Sequence, residues 1–243
     1  DALGLPAASL VGQRVPKKLL LENGAPTAAD KRLINEGIED IQWVAALKPA
    51  VVGAPEFRDG TREYLEIAVL QLTPRAAGKA ERLIELVHRA IPYPLMLLTV
   101  TDRIGLSLAH KRQALNEADK VVLDGDSVST DLSDANEAIQ RAFLDALPVT
   151  RQPRGSIFAL YQGWSDVLAA FQAARITGTF RLFESAELAV ARRQALHTSL
   201  LLQDQIAGLR SAAGKASQMA RQVELNLQLH KLEGQLKQEI GRL

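Results

Sequence analysis

The chain has 243 residues, 47% of them hydrophobic and 5% aromatic, with a formal net charge of +1 and no cysteine. That is material for one α/β domain with an appendage, or for two small domains, packed mainly by Leu, Ile, Val and Ala. It excludes disulfides and thiolate metal sites, fits a reducing cytoplasm, and supplies no overall charge to draw the chain to nucleic acid or an anionic membrane.

No apolar run approaches the roughly 18 residues of a membrane span. The longest, Pro94 to Val100, has strand length. Asp1 to Leu10 lacks the basic start and long apolar stretch of a signal peptide, so none is expected, and the absent initiator Met reads as processing or trimming. The expected location is cytoplasmic.

From Leu3-Gly4-Leu5-Pro6 to Lys17-Lys18 there is neither helical nor strand period, and Pro6 and Pro16 interrupt it. An extended arm carrying Arg14, Lys17 and Lys18 is expected, either strapped over the core or touching nucleic-acid phosphate. Thr27-Ala28-Ala29-Asp30 resembles a capping box with Asp in place of Glu. Leu33, Ile34, Ile38 and Ile41 follow at helical spacing, so a helix is predicted from Thr27 through Trp43 and Leu47 to Pro49.

Arg62 to Leu72 ends in a fully apolar run and predicts a strand buried on both faces. Arg75 to Ala90 predicts a helix with Leu83, Ile84, Leu86 and Val87 inward. Leu95 to Thr101 and Ile104 to Ala109 predict two strands around the turn Asp102-Arg103, and Lys120 to Leu123 a short fourth. The first two strands are expected to run parallel across the helix. Asp124 to Asp131 reads as polar loop, Ser133 to Leu147 as a helix, Pro148 to Gly155 as a linker, and Leu160 to Ala174 as a further helix.

Beyond Ser185 the chain changes character. Ala191, Ala195, Thr198, Leu202, Gln205 and Leu209 recur at about 3.5 residues, and a turn or break is expected over Gly208 to Gly214. Leu225, Leu229, Leu232, Leu236 and Leu243 then form a stripe of about three heptads, suited to a folded-back hairpin or to a coiled coil with another chain.

Taken in order, several of these segments resemble one bacterial family. They are Leu3-Gly4-Leu5-Pro6 with Arg14-Val15-Pro16-Lys17-Lys18, then Ile38-Glu39-Asp40-Ile41-Gln42-Trp43 with Leu47-Lys48-Pro49. Ala90-Ile91-Pro92-Tyr93-Pro94, Ala109-His110-Lys111 and Gln222-Val223-Glu224-Leu225-Asn226 complete the set. The family is catalogued as domain of unknown function 4391. The resemblance implies a small accessory protein of prokaryotic defence islands, encoded beside helicases and DNA methyltransferases of restriction-like systems. It carries over no catalytic residue. Many relatives have a longer polar insertion after the third strand, which this chain lacks.

No motif nominates chemistry. His88, His110, His197 and His230 lack the close spacing of metal ligands. Asp124-Gly125-Asp126 begins like a calcium loop, but the twelfth position is Ala135 where Glu is required. A restriction-type nuclease needs an acidic residue and then an acid-x-Lys pair to hold Mg²⁺ and polarise the phosphate. Glu63 and Glu66, with Asp59 before them, supply acids, but Ala68 stands where the Lys belongs. There is no GxxxxGK[ST], GxGxxG or GxSxG.

In the last region Arg192, Arg193, Arg210, Lys215, Arg221, Lys231, Lys237 and Arg242 exceed Glu187, Asp204, Glu224, Glu233 and Glu239 by three charges. Such a surplus suits a solvated helix face, with DNA or tRNA contact as the alternative.

The predicted fold class is α/β: a small mixed βαββ sheet with flanking helices, then a long C-terminal helical hairpin or coiled coil. Residues 1–150 form the core with its N-terminal arm, 151–184 a linker and connecting helix, and 185–243 a helical arm. The expected function is that of a non-catalytic accessory subunit of an antiviral, restriction-like DNA-targeting complex, binding a helicase or methyltransferase through Leu225, Leu229, Leu232 and Leu236. Homodimerisation through the same stripe is the other use. No cofactor, metal or catalytic residue is nominated. Arg14, Lys17, Lys18, Arg221, Lys231 and Lys237 are the candidates for nucleic-acid contact. A divergent nuclease on Glu63 and Glu66, and a DNA-contacting clamp, are the alternative functions.

Overall fold

The doubly buried strand expected near Leu72 lies inside a six-stranded sheet of the chain's computed structural model, which describes residues 2–76, 78, 80–115, 117, 120–182 and 185–243. The strands are β1 (Leu10–Arg14), β2 (Ile38–Leu47), β5 (Ile67–Pro74), β6 (Leu95–Val100), β7 (Ile104–Ala109) and β10 (Val128–Asp131), in that spatial order. β5 and β6 run parallel, and every other pair is antiparallel. Two small hairpins stand apart from it: β3 (Phe57–Arg58) with β4 (Glu63–Tyr64), and β8 (Lys111–Gln113) with β9 (Val121–Leu123).

The parallel pair needs a crossover, and α4 (Ala80–Ala90) provides it, burying Leu83, Leu86 and Val87. Ala77 and Lys79, inside the helix expected from Arg75, lie outside the described residues. Against α4 pack α1 (Lys17–Asn23) and α2 (Ala28–Gly37). The core they enclose includes Leu20, Ile34, Ile41, Leu70, Leu86 and Leu97. A four-residue helix α3 (Pro49–Val52), then α5 (Glu137–Ala146) and α6 (Ile157–Thr177) complete the elements before the long helices. The chain divides into two units, residues 1–168 and 169–243. No helix among the described residues is long and apolar enough to cross a membrane.

In the first unit four sequence expectations need correction. The helix predicted to run to Leu47 stops at Gly37, and Ile38–Leu47 is β2. Its register against β5 shifts twice, between Ile38 and Asp40 and between Trp43 and Ala45. Each bulge moves the inward phase by one residue, so Ile38, Ile41 and Ala45 face the core at a spacing that imitates a helix. The N-terminal arm is only partly extended: β1 pairs with β2 across a bulge containing Gly12 (φ 64°), and Lys17–Asn23 is helical. The loop Asp124–Asp131 contains edge strand β10, and the helix assigned to Ser133 is capped by Asn136, whose side chain accepts from the Ile139 N–H at 3.0 Å. The cap at Thr27 is present. Its Oγ1 accepts from Asp30 N–H at 3.1 Å, while the Asp30 carboxylate takes a bidentate grip from Arg82 at 2.9 and 3.0 Å that ties α2 to α4.

Gly24, just past α1, marks the tightest helix approach. A Cβ there would stand 2.6 Å from the Leu86 carbonyl oxygen and 2.7 Å from the Ala90 Cβ, with backbone on one side that cannot swing away. Gly24→Ala is expected to lower the unfolding free energy by about 2 kcal/mol, the usual scale for overpacking, read as a reduced urea midpoint. An unchanged midpoint would mean that α1 and α4 do not meet this closely.

The second unit holds α7 (Ala186–Lys215) and α8 (Met219–Ile240), joined by residues 216–218. The break expected over Gly208–Gly214 is absent, and α7 runs through both glycines to Lys215. Each glycine costs about 1 kcal/mol of helix propensity, but packing between α7 and α8 holds the helix past them. Ala189, Ala195, Leu196, Ser199, Leu202 and Ile206 are the buried positions of α7 among the described residues. The seam therefore uses Ser199 and Ile206 where the heptad reading placed Thr198 and Gln205.

Candidate functional site

On α8 the four leucines singled out by sequence share one face. Leu225 and Leu229 are buried, at 2% and 9% exposure, and Leu232 and Leu236 are half-buried. α7 is the helix packed along α8, and Arg210 reaches across to Glu233 at 2.8 Å. The fold thus already shelters the first two leucines, and the other two keep part of their surface.

The opposite face of α8 carries a second apolar row. Met219, Val223 and Leu227 recur every four residues and lie roughly half a turn from Leu225 and Leu229. Their exposures are 80%, 54% and 67%. Beyond Leu227 the row continues through His230 and Gly234, so its apolar part is confined to the first turns of the helix. Sequence reasoning missed it because the leucine stripe was the longer signal. The i, i+4, i+8 spacing was there to be read.

The candidates for nucleic-acid contact are not gathered into one place. Arg221 pairs with Glu224 at 2.5 Å, and helix periodicity spreads Arg221, Lys231 and Lys237 to different sides of α8. Lys18 stands 3.7 Å from Glu22 on α1. Arg14 and Lys17, by contrast, line one depression of about 440 Å³ with Asp40. The Lys17 ammonium donates to the carbonyls of Asn35 and Ile38, at 2.8 and 2.5 Å, closing the end of α2. Burial first, and then the charges of Arg75 and Arg14, hold its pKa below the ordinary range.

The acids of the nuclease alternative each have local work. Glu63 takes Arg58 at 2.9 Å, Glu66 stands 3.9 Å from Lys48, and Asp59 accepts from the backbone N–H groups of Thr61 and Arg62. Asp124, from the calcium-like turn, takes Arg62 at 2.7 Å. Among the described residues, no group of three or more His, Asp or Glu side chains is placed to hold a metal ion.

A buried polar seam runs behind β6 and β7. The Tyr64 hydroxyl accepts from the Lys111 backbone N–H at 3.1 Å, which leaves its proton for His110 Nδ1 at 2.7 Å. His110 Nε2 then carries the ring proton, 3.4 Å from Ser165 Oγ, and Ser165 donates onward to the Tyr161 carbonyl at 3.2 Å. The sequence Ser165–His110–Tyr64 has the outline of a nucleophile with its base. However, Ser165 is 6% exposed and its proton is engaged by backbone, so the arrangement locks α6 to the sheet. Beside it Lys111, 2% exposed, donates to the carbonyls of His88 and Ile91 (3.0 Å for Ile91) at the end of α4. Burial brings its pKa down to about 7. His88 Nε2 meets Ser107 Oγ at 2.9 Å, and burial, then the Lys111 charge, push its pKa down to about 3.

A family model described as "Domain of unknown function (DUF4391)" matches residues 3–236, nearly the whole chain. No curated protein and no solved structure matches.

Proposed function

We propose, for a chain that belongs to the family described as Domain of unknown function (DUF4391), a binding role: an accessory subunit that docks a larger protein through α8. One observation carries this reading. Met219, Val223 and Leu227 form a row of large apolar side chains facing water on a helix whose other apolar face is already sheltered. Single exposed leucines are ordinary on protein surfaces, whereas an aligned row marks a contact. Covering three such side chains is worth about 1–2 kcal/mol each, enough to form the centre of an interface.

The partner is proposed to be the helicase or DNA methyltransferase of an antiviral, restriction-like system, as the family resemblance leads one to expect. The test is co-expression of the full chain with the helicase or methyltransferase encoded beside it, followed by affinity purification and size-exclusion chromatography. A complex should co-elute. Val223→Asp with Leu227→Asp should weaken it at least tenfold while leaving the circular dichroism and melting temperature unchanged. Separate elution of every neighbour, or a complex indifferent to both substitutions, would remove this reading.

A further inference from the structure

We propose that Arg14, Lys17 and Arg75 form a binding site for a phosphate group at the open edge of the large sheet. This site is in the first unit and is independent of the docking role assigned to α8.

Arg14 and Lys17 lie close together in the sequence and line one depression, and Arg75, far along the chain, adjoins the same C-terminal end of α2 from the end of β5. Arg14 ends β1, an edge strand whose five residues are all exposed. Lys17 is fixed by its bonds to the Asn35 and Ile38 carbonyls. Arg75 follows β5, and its backbone N–H donates to the Gly37 carbonyl at 2.8 Å. Arg75 also lines a second depression, of about 410 Å³, with Arg32, Glu36 and Gly37.

The charges there do not balance. Asp40 is shared between Arg14 Nε at 2.9 Å and the Gln42 side-chain amide at 2.8 Å, and Glu36 is held by Arg32 at 2.9 Å. The bonds of Lys17 go to neutral carbonyls, and the Arg75 guanidinium has no ion-pair partner among the described residues.

A structural reason covers only part of this arrangement. Cations near a helix C-terminus favour its dipole, and Lys17 serves that end directly. Arg14 and Arg75 direct no side-chain bond to the α2 carbonyls, yet both are close enough to disfavour the Lys17 ammonium. A doubly or singly charged oxyanion seated among the three removes that repulsion. The guanidinium forks and the remaining ammonium proton match the several oxygens of a phosphate. Because the adjoining sheet edge is open, the phosphate can belong to a nucleic-acid backbone or to a small molecule. The chemistry of the site is the same for both.

The test uses the full chain and two probes at 50 mM salt. A fluorescein-labelled 20-base-pair DNA duplex is followed by anisotropy, and inorganic phosphate by titration calorimetry. At least one probe should bind, and the Arg14→Ala/Arg75→Ala variant should bind it at least tenfold more weakly with an unchanged melting temperature. For the duplex, the log–log salt slope should become shallower by about one in that variant, since the site neutralises one phosphate. Arg75→Ala alone guards against a folding effect, and Arg75→Lys, which keeps the charge without the fork, should bind more tightly than Arg75→Ala and more weakly than wild type. Duplex binding without phosphate binding assigns the site to a nucleic-acid backbone, and binding of phosphate alone to a small phosphate compound. If neither probe binds, or if the double variant binds like wild type, the proposal is overturned.

Discussion

Between pH 7 and pH 9.5 the wild-type protein is expected to gain about 3 kcal/mol of unfolding free energy over a Lys111→Met variant. The cause is the ammonium buried at the end of α4, whose pKa in the fold is about 7 against an ordinary value of 10.5. Below pH 7 the folded and unfolded chains both carry the proton, and the fold bears its desolvation. Above pH 7 the folded chain releases the proton while the unfolded chain keeps it until about pH 10.5. The unfolded state then binds more protons, so stability rises with pH at about 1.4 kcal/mol per unit.

The neutral amine keeps two N–H donors, and the fold uses two, on the His88 and Ile91 carbonyls. Met fills the space but leaves both carbonyls without a donor, at about 1–3 kcal/mol each. Near pH 6 that loss is offset by the absence of a buried charge, so the variant should lie close to wild type there. Tyr64 and Tyr161, whose phenols burial holds far above their ordinary range, lower stability above about pH 10 in both proteins, and so cancel in the comparison. Urea unfolding at several pH values gives the answer. Parallel profiles for the two proteins would mean that the Lys111 ammonium is not desolvated.

The parts of this molecule legible in its sequence are those where one interaction dominates. Leu95 to Val100 is apolar because it is covered on both faces, and the Thr27 cap is read from four residues. What was hidden depended on two segments meeting. β2 looked helical because two bulges, set by its pairing with β5, changed the phase of Ile38, Ile41 and Ala45. β1 and β10 are short edge strands with no pattern of their own, since each is defined by one neighbour. The same holds for the candidate sites. The leucines of α8 were visible as a periodic stripe, but only the position of α7 reveals that Leu225 and Leu229 are sheltered and that Met219, Val223 and Leu227 are the outward row. Arg14 and Lys17 were visible as charges near the start of the chain. Arg75, some sixty residues later, joins them only because β5 ends where α2 ends.

The largest acid effect is expected from His88. Its pKa falls to about 3 in the fold, from an ordinary 6.5. His88 lies wholly inside the protein, and its Nδ1 has no hydrogen-bond partner among the described residues. An orphaned lone pair is cheaper than an orphaned N–H, which assigns the proton to Nε2, facing Ser107 at 2.9 Å. Protonating the ring would put an N–H on Nδ1 with no acceptor, and a second cation beside Lys111. The folded chain therefore stays neutral while the unfolded chain takes up a proton below pH 6.5. Stability should fall as the pH drops from 6.5 toward 3, at a slope that approaches about 1.4 kcal/mol per unit, or about 2 kcal/mol between pH 6.5 and 4.5. Carboxylates do not account for this window. Asp30, which hydrogen bonds from Arg82 and Thr27 hold below its ordinary 3.8, loses its contribution only at still lower pH. Replacing the pair as His88→Leu with Ser107→Ala removes both the ring and its partner without stranding a buried hydroxyl, so the variant's stability should be nearly level from pH 6.5 to 4.5 while wild type declines. Urea midpoints across that range decide the matter. A variant that declines as steeply as wild type would place the acid sensitivity elsewhere than in His88.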